Sequence, residues 1–310
     1  MADEERFVGL YSVLPTPFDE DGELDLRALA GLVRFAARAG ARGVTVLGVM
    51  GEAAKLTEGE REAVVRAAAE AAAEAGVDLV AGVSAAGERP VLVQAQAARA
   101  AGAAAVMASP PPGTPQDAVG AFYARLADAA GVPVVVQDLP TASGVVLPAP
   151  LLAAVGAEVA GVAAIKLEDP PTPLKVSAIL RRWGEERPAQ VMGGLGGLFL
   201  LEELRRGASG TMTGFGYPEA LAGVCRLARA GDWEGARTLF ERFLPVIRYE
   251  NMPVVSVNVR KALLHARGVL PSPAVRRPAP ELDEGVRAEI DEYVRRYAGE
   301  ALLVGGGQPI

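Results

Sequence analysis

Residues that commonly bind metals or form cross-links are almost missing from this sequence of 310 residues. It has one histidine, His265, and one cysteine, Cys225. A metal site built on several imidazoles is therefore excluded, which argues against a zinc-dependent reaction. A single cysteine can form no disulfide within the chain, and such usage is typical of proteins in the reducing cytosol. We predict no metal site and a cytoplasmic location.

Excess positive charge and long apolar runs are also absent. The net charge is −7 and the isoelectric point is about 5.1, whereas a nucleic-acid-binding surface is usually basic. The first residues, MADEER, are charged where a secretory signal would be apolar. Alanine-rich stretches such as 67–75 are interrupted by glutamate and are too polar to span a bilayer. We predict no nucleic-acid partner and no membrane association.

Lysine is scarce as well, because arginine supplies nearly all the positive charge. The four lysines are Lys55, Lys166, Lys175 and Lys261. Lys166 ends an apolar run of strand length, 162–165, and an acidic, proline-rich break follows it. Unlike arginine, lysine carries an amine that can lose its proton in an apolar site and attack a carbonyl. The other interpretation is a lysine that extends from a strand end into water.

A unit of strand, helix and glycine recurs along the chain until the eighth strand at 209–213. Repeated units of this kind are typical of parallel sheets, and eight of them match a (β/α)8 barrel in number and length. We therefore predict an α/β fold with a barrel at 1–230, a C-terminal extension of three helices at 231–300 and a disordered tail at 301–310. A doubly wound open sheet is the alternative, although it more often has fewer strands.

In a barrel, the active site lies at the carboxyl ends of the strands. Lys166 stands at this edge, which favours the catalytic interpretation. The other candidate catalytic and substrate-binding residues at this edge are Thr16, Val49, Met50, Gly51, Glu52, Gln137, Asp138, Gly193, Gly194 and Thr213.

Two glycine-containing loops, at 48–51 and 193–197, could present backbone N–H groups to a carboxylate or a phosphate. As motifs they are weak, because tight turns explain most such glycines. Neither loop ends in the Lys-Ser/Thr pair of a P-loop, which argues against a bound nucleotide.

Several motifs give the chain a family resemblance. They are LPTPF at 14–18, GVMGE at 48–52, LTEGER at 56–61, AGV at 81–83, QDLPTASG at 137–144, AIKLE at 164–168, GASGTMTG at 207–214 and VRKALLHARG at 259–268. With these motifs the chain resembles the dihydrodipicolinate synthase / N-acetylneuraminate lyase family of class I aldolases and dehydratases. The resemblance implies a barrel with C-terminal helices, a homotetramer or homodimer, and a 2-oxo acid substrate. It also implies a Schiff base on Lys166 without a separate cofactor, a carboxylate pocket at Val49, Met50 and Gly51, and a wall at Gly193.

Four features depart from the family pattern. Val49 and Met50 replace two hydroxyl residues, and Gln137 replaces the tyrosine that transfers protons. Ala142 falls where the synthases have arginine, and prolines at 110–112 fall where they have tyrosine. An amide cannot act as a general acid or base, so these departures argue against the synthase reaction. The chain is more similar to a branch related to 2-keto-3-deoxy-L-arabonate dehydratases.

Three kinds of function remain open at this point, and the third, a metal-dependent aldolase, has the single histidine against it. The first is a lyase that joins Lys166 to a 2-oxo acid and then expels water or cleaves a C–C bond. The acid or base could be Glu52, Asp138, Glu168 or Thr213, although an acidic residue that begins a proline-rich loop favours a structural role for Glu168. The second is a binding or sensor protein for 2-oxo acids or sugar acids that kept the barrel but lost the proton relay.

Overall fold

The chain forms a closed barrel of eight parallel strands in a computed structural model that describes residues 6–298. Each strand pairs with the next along the chain, and the first strand also pairs with the eighth, so the open-sheet alternative is wrong. The prediction of a (β/α)8 barrel is confirmed. The strands are β1 (Gly9–Val13), β2 (Gly43–Val46), β3 (Asp78–Gly82), β4 (Ala105–Ala108), β5 (Val134–Asp138), β6 (Val162–Leu167), β7 (Gln190–Gly193) and β8 (Gly210–Thr213).

Helices surround the barrel and continue beyond it. Nine α-helices precede residue 230 in the described chain, and two of these, at 140–143 and 149–158, share the β5–β6 connection. The helices are α1 (Leu26–Arg38), α2 (Glu58–Ala75), α3 (Glu88–Ala100), α4 (Val119–Ala130), α5 (Pro140–Ser143), α6 (Ala149–Glu158), α7 (Thr172–Trp183), α8 (Leu200–Arg205), α9 (Pro218–Arg229), α10 (Trp233–Glu250), α11 (Ser256–Ala266) and α12 (Glu284–Tyr297).

The three helices predicted after the barrel are present as α10, α11 and α12. Helix α10 packs directly against α9, the last helix of the outer ring. The division at residue 230 therefore stays a prediction, because no separating linker marks it. The predicted tail at 301–310 lies outside the described residues.

Local capping explains where several helices begin and end. Asp25 accepts a hydrogen bond from the Ala28 amide (2.8 Å) at the start of α1. Thr57 and Glu60 form a reciprocal capping box at the start of α2, and Gly76 ends that helix in the left-handed region (φ 69°).

Two apolar cores stabilise the barrel. The larger lies between strands and helices, and the smaller fills the barrel interior. The interior side chains are Phe7, Tyr11, Val13, Val80, Ala105, Met107, Val135, Ala164, Met192 and Met212. The register of β5 and β6 pairs Val135 with Ala164 and Gln137 with Lys166. Because side chains alternate along a strand, Gln137 and Lys166 continue the inward-facing row at its carboxyl end.

None of the helices within residues 6–298 has the length and apolar character needed to cross a membrane.

Candidate active site

A cavity of about 410 Å³ opens at the carboxyl end of the barrel strands, where the active site was predicted. It is formed by strand ends, the loops that follow them and part of the C-terminal extension. The lining residues that concern the chemistry are Gly48, Val49, Met50, Gln137, Lys166, Glu168, Gly194, Thr213, Gly214, Asn251, Ser256 and Arg260.

Lys166 lines this cavity and is 3% exposed. Its Nζ is 3.0 Å from Oε2 of Glu168. The same carboxylate oxygen accepts a hydrogen bond from Nε2 of Gln137 at 2.8 Å. One carboxylate is thus held between the amine and the amide inside the cavity.

Glu168 is the main residue that the sequence interpretation undervalued. We expected a structural role because it begins a proline-rich loop, but its side chain is only 13% exposed and lines the cavity. Lys166 and Glu168 are two residues apart, so the alternation of a strand places both on one face. That spacing was the available signal. A proline-rich sequence after a strand does not by itself turn the preceding side chain outward.

Gln137 is oriented by its neighbours. Its amide nitrogen donates to Glu168, and Ser109 Oγ lies 3.4 Å from its Oε1 and 3.1 Å from its backbone oxygen. A glutamine held in this way can position a carboxylate without titrating. Gln137, which replaces the family's tyrosine, therefore lies in the cavity and holds Glu168 through a hydrogen bond.

Gly194 permits the close packing of Lys166 and Glu168. A Cβ on Gly194 would lie 2.7 Å from Glu168 Cγ and 2.8 Å from Lys166 Cε. These distances are shorter than any normal carbon contact, so a side chain here would displace both functional groups. The glycine predicted as a binding residue thus shapes the place of the amine.

Other predicted binding residues are divided between the cavity and its surroundings. Val49, Met50 and Thr213 line the cavity. Thr16 and Gly51 support the loop from behind, where Thr16 Oγ1 donates to the Gly51 carbonyl at 2.6 Å.

Gly193 faces away from the cavity. Its missing side chain leaves room for the Glu203 carboxylate, which accepts a hydrogen bond from Thr172 at 2.5 Å on the helix side of the strand. Burial raises the pKa of Glu203 to about 7, although the Thr172 hydrogen bond acts in the opposite direction. The structure therefore does not bring Gly193 to the place predicted for it.

Glu52 is also placed outside the cavity. Its two oxygens bind Lys261 (2.6 Å) and Lys55 (2.9 Å), and it also accepts a hydrogen bond from the Arg276 amide at 3.1 Å. Burial lowers the pKa of Lys261 to about 8, while the Glu52 charge acts to raise it. This cluster joins the β2 loop to the C-terminal extension. In this position Glu52 supports the fold and is not directed toward Lys166.

Asp138 occupies the opposite face of β5 from Gln137. It is fully buried and binds Lys175 Nζ at 2.7 Å, and the same amine binds Asp169 at 2.6 Å. Burial raises the pKa of Asp138 to about 6 despite the lowering effect of Lys175. A one-residue difference in strand position therefore separates Asp138 from the cavity.

The C-terminal extension supplies four cavity residues that sequence interpretation missed: Asn251, Pro253, Ser256 and Arg260. Asn251 donates to the Gly196 carbonyl at 3.0 Å, which connects the extension to the loop after β7. The motif at 259–268 was recognised, but nothing in the sequence showed that Arg260 within it reaches the cavity. Within residues 6–298, no group of three or more His, Cys, Asp or Glu side chains is arranged to hold a metal ion.

The closed barrel and the buried lysine at the carboxyl end of β6 together define the class of the protein. It is a (β/α)8 barrel with a lysine amine in the cavity at its carboxyl end. The chain belongs to the dihydrodipicolinate synthetase family, whose family model matches residues 6–296.

Relatives agree with this membership over nearly their whole lengths. The chain is 34% identical to L-2-keto-3-deoxyarabonate dehydratase of Azospirillum brasilense over 94% of each chain. It is 32% identical to 4-hydroxy-tetrahydrodipicolinate synthase of Sorangium cellulosum, over 93% of this chain and 95% of the relative. A crystal structure of dihydrodipicolinate synthase from Rhodopseudomonas palustris aligns with a TM-score of 0.87 and 36% identity, over 93% of this chain and 97% of that one.

Proposed function

We propose that this chain is a Schiff-base-forming lyase that removes water from a 2-keto-3-deoxy sugar acid. The observation that carries the proposal is the contact of Lys166 with Glu168 inside the cavity (3.0 Å), which joins a nucleophilic amine to a group able to accept and return a proton. Family membership and the similarity to the A. brasilense dehydratase support it.

In the first step, the neutral amine of Lys166 attacks the ketone carbon C2 of the 2-oxo acid. A C–N bond forms and one amine proton moves to the former ketone oxygen. That oxygen takes a second proton from solvent and leaves as water, which gives a protonated imine. The positive imine then withdraws electrons from the neighbouring carbon C3 and makes its protons more acidic. Lysine suits this step because its amine can lose a proton, whereas the guanidinium of arginine stays charged.

In the second step, we assign proton transfer to Glu168. Its carboxylate takes a proton from C3, the electrons form an enamine between C2 and C3, and the enamine then expels the hydroxyl group from C4. The proton held by Glu168 joins that hydroxyl, so that water leaves and Glu168 returns to the carboxylate form. Another water molecule then hydrolyses the C–N bond, which frees the ketone product and the Lys166 amine and returns one proton to solvent. Gln137 holds the carboxylate through its amide donor (2.8 Å).

Two alternatives make different products. In a retro-aldol reaction, the base would take the proton of the C4 hydroxyl, and the C3–C4 bond would break to release pyruvate. A sensor would bind 2-oxo acids without turnover. Glu168 argues against the sensor, because it supplies a titratable group where the family tyrosine is replaced by Gln137.

Borohydride trapping tests the proposed function. Incubation with pyruvate or a 2-keto-3-deoxy sugar acid, followed by borohydride, is expected to leave one adduct on the peptide that carries Lys166. Lys166→Arg should give neither adduct nor turnover. The matched control is Lys175→Arg, because the Lys175 amine binds Asp138 and Asp169 outside the cavity. This variant should still be labelled at Lys166.

The products then identify the reaction. Loss of water from the sugar acid supports dehydration, release of pyruvate supports the aldolase, and an adduct without turnover across a panel of 2-oxo acids supports the sensor. An adduct on Lys55, Lys175 or Lys261 instead of Lys166 would contradict the mechanism. Activity that disappears with a chelator and returns with zinc would support the metal-dependent alternative.

The assembly remains a prediction that rests on family resemblance. We propose a homo-oligomer, a tetramer or a dimer, in which the C-terminal extension contributes to the contacts. Sedimentation at micromolar concentration that shows only a species of 32.0 kDa would contradict it.

A further inference from the structure

The cavity contains a second basic side chain besides Lys166. Arg260 of helix α11 lines the cavity although it is only 2% exposed. Its Nε donates to Oε1 of Glu250, whose other oxygen accepts a hydrogen bond from the Gly216 amide at 2.7 Å. The Nη1 atom of Arg260 is buried and has no hydrogen-bond partner. A buried guanidinium donor without a partner is energetically unfavourable, so this atom is suited to a bound acceptor.

The strand ends give Arg260 its position. The guanidinium lies against Gly214, at the end of β8, in the space that a side chain on Gly214 would occupy. Gly214 follows Thr213, which also lines the cavity. The glycine thus lets an arginine from the extension approach the same strand edge as the catalytic lysine.

Ser256, the first residue of α11, shows on which side of the cavity Arg260 lies. Ser256 is four residues earlier, so it lies on the same helix face, and its Oγ lies 3.9 Å from the sulfur of Met50. Arg260 therefore stands on the side formed by the loop at 49–51. Val49 and Met50 offer no side-chain hydroxyl there, so a donor from another element has a clear use.

We infer that Arg260 binds the carboxylate of the 2-oxo acid through Nη1 while Lys166 binds the ketone carbon next to it. Arginine N–H groups form strong, charge-assisted hydrogen bonds with carboxylates. The ion pair with Glu250 fixes the guanidinium plane and leaves Nη1 for the substrate. This inference rests on the proposed Schiff base, and it assigns Arg260 a role in selecting ketones that carry an adjacent carboxylate.

The test compares two ketones that differ in the carboxylate. Pyruvate has one, and hydroxyacetone has none, yet both can form an imine with Lys166. The quantity measured is the ketone concentration that gives half-maximal borohydride adduct. For Arg260→Gln, this concentration should rise roughly 10- to 100-fold with pyruvate and stay unchanged with hydroxyacetone. Arg260→Lys keeps a cation but not the fork of donors. Its half-maximal pyruvate concentration should fall between those of the wild-type protein and Arg260→Gln.

Protein folding needs its own control, because Arg260→Gln leaves Glu250 buried without its cation. The double variant Glu250→Gln/Arg260→Gln removes both charges and keeps an oxygen for the Gly216 amide, so it should fold and show the same loss for pyruvate. Arg267→Gln is the matched control, because Arg267 pairs with Glu219 at 2.7 Å and is not among the cavity residues. It should not distinguish the two ketones.

The outcomes separate this inference from the proposed function. Equal losses for both ketones in the folded double variant would overturn the role of Arg260, as would an unchanged pyruvate requirement. A loss only with the longer sugar acid would place Arg260 at its hydroxyl groups and overturn the carboxylate assignment. If the wild-type protein forms no adduct with either ketone, the Schiff-base proposal fails and this inference fails with it.

Discussion

Lys166 and Glu168 are two residues apart, and Nζ of the lysine lies 3.0 Å from Oε2 of the glutamate. The strand alternation that directs the lysine into the barrel also directs the carboxylate there. An amine and a carboxylate are therefore supplied by one short segment at the end of β6. In the proposed mechanism, Glu168 takes the role of a tyrosine on β5, where the chain has Gln137.

We predict that Glu168→Gln separates imine formation from turnover. The glutamine keeps the shape of the side chain but cannot accept a proton, so kcat should fall by roughly 10²- to 10⁴-fold. The borohydride adduct with pyruvate should still form on Lys166. Asp169→Asn is the control, because Asp169 binds Lys175 outside the cavity (2.6 Å), and this variant should keep most of its activity. A Glu168→Gln enzyme with wild-type kcat would contradict the assignment.

A second prediction concerns the contact between Gly194 and the catalytic pair. A methyl group at this position would lie 2.7 Å from Glu168 Cγ and 2.8 Å from Lys166 Cε, so Gly194→Ala must displace them. A shift of this kind can reduce kcat by roughly 10²-fold, with a stability loss of about 1–3 kcal/mol. Steady-state kinetics and urea unfolding measure both effects.

The matched substitution for Gly194→Ala is Gly120→Ala on helix α4. A Cβ on Gly120 would meet no atom within 4 Å, and alanine favours a helix. This variant should keep full activity and unfold at the same or a slightly higher urea concentration. Equal kinetics for the two variants would show that the Gly194 contact does not hold the amine in place.

Much of this site could be predicted from local sequence. The apolar run before Lys166 and the break after it identified a strand end, and the repeated units identified the barrel. Local sequence gave less information on which residues of a strand face the barrel interior. In β5, Gln137 faces inward and Asp138 faces Lys175. A shift of one residue reverses the faces, and no pattern in the apolar run 134–136 at the start of β5 fixes that choice.

Contacts between distant segments were not predictable in the same way. Glu52 appeared catalytic because it follows a strand end, but its partner Lys261 is 209 residues away. Arg260 belongs to the C-terminal extension, which was predicted to follow the barrel. Its approach to the strand ends depends on the missing side chain of Gly214. Such pairings depend on the packing of α11 over the barrel. They have no signature in either segment alone.

The position of Glu52 leads to a third prediction. Glu52→Gln should leave the buried Lys261 ammonium without its carboxylate, so the free energy of unfolding should fall by about 3–5 kcal/mol. The kcat of the folded protein should change little, since Glu52 does not line the cavity. Urea unfolding and kinetics at low temperature measure the two quantities separately.

Glu60→Gln is the control for Glu52→Gln. Glu60 pairs with Arg276 at 2.7 Å, but both side chains are partly exposed, so its loss should cost less than about 1 kcal/mol. If Glu52→Gln is as stable as the wild-type protein and loses kcat, Glu52 acts in catalysis as the sequence interpretation first suggested.

The last prediction concerns Glu203, the buried carboxylate behind Gly193. Burial raises its pKa from 4.5 to about 7, so between these values the folded protein holds a proton that the unfolded chain releases. The free energy of unfolding that depends on this group is therefore fully present below pH 4.5 and declines as the pH rises through 7.

Glu203→Gln removes the titration and keeps an acceptor for the Thr172 hydroxyl. Above pH 7 this variant should be more stable than the wild-type protein by on the order of 3 kcal/mol, with the difference disappearing near pH 4.5. Urea midpoints measured from pH 4.5 to 8 test the prediction, with Glu202→Gln on the exposed side of α8 as a control that should show a nearly constant difference. Parallel curves for Glu203→Gln and the wild-type protein would show that Glu203 is already ionised in the folded state throughout this range.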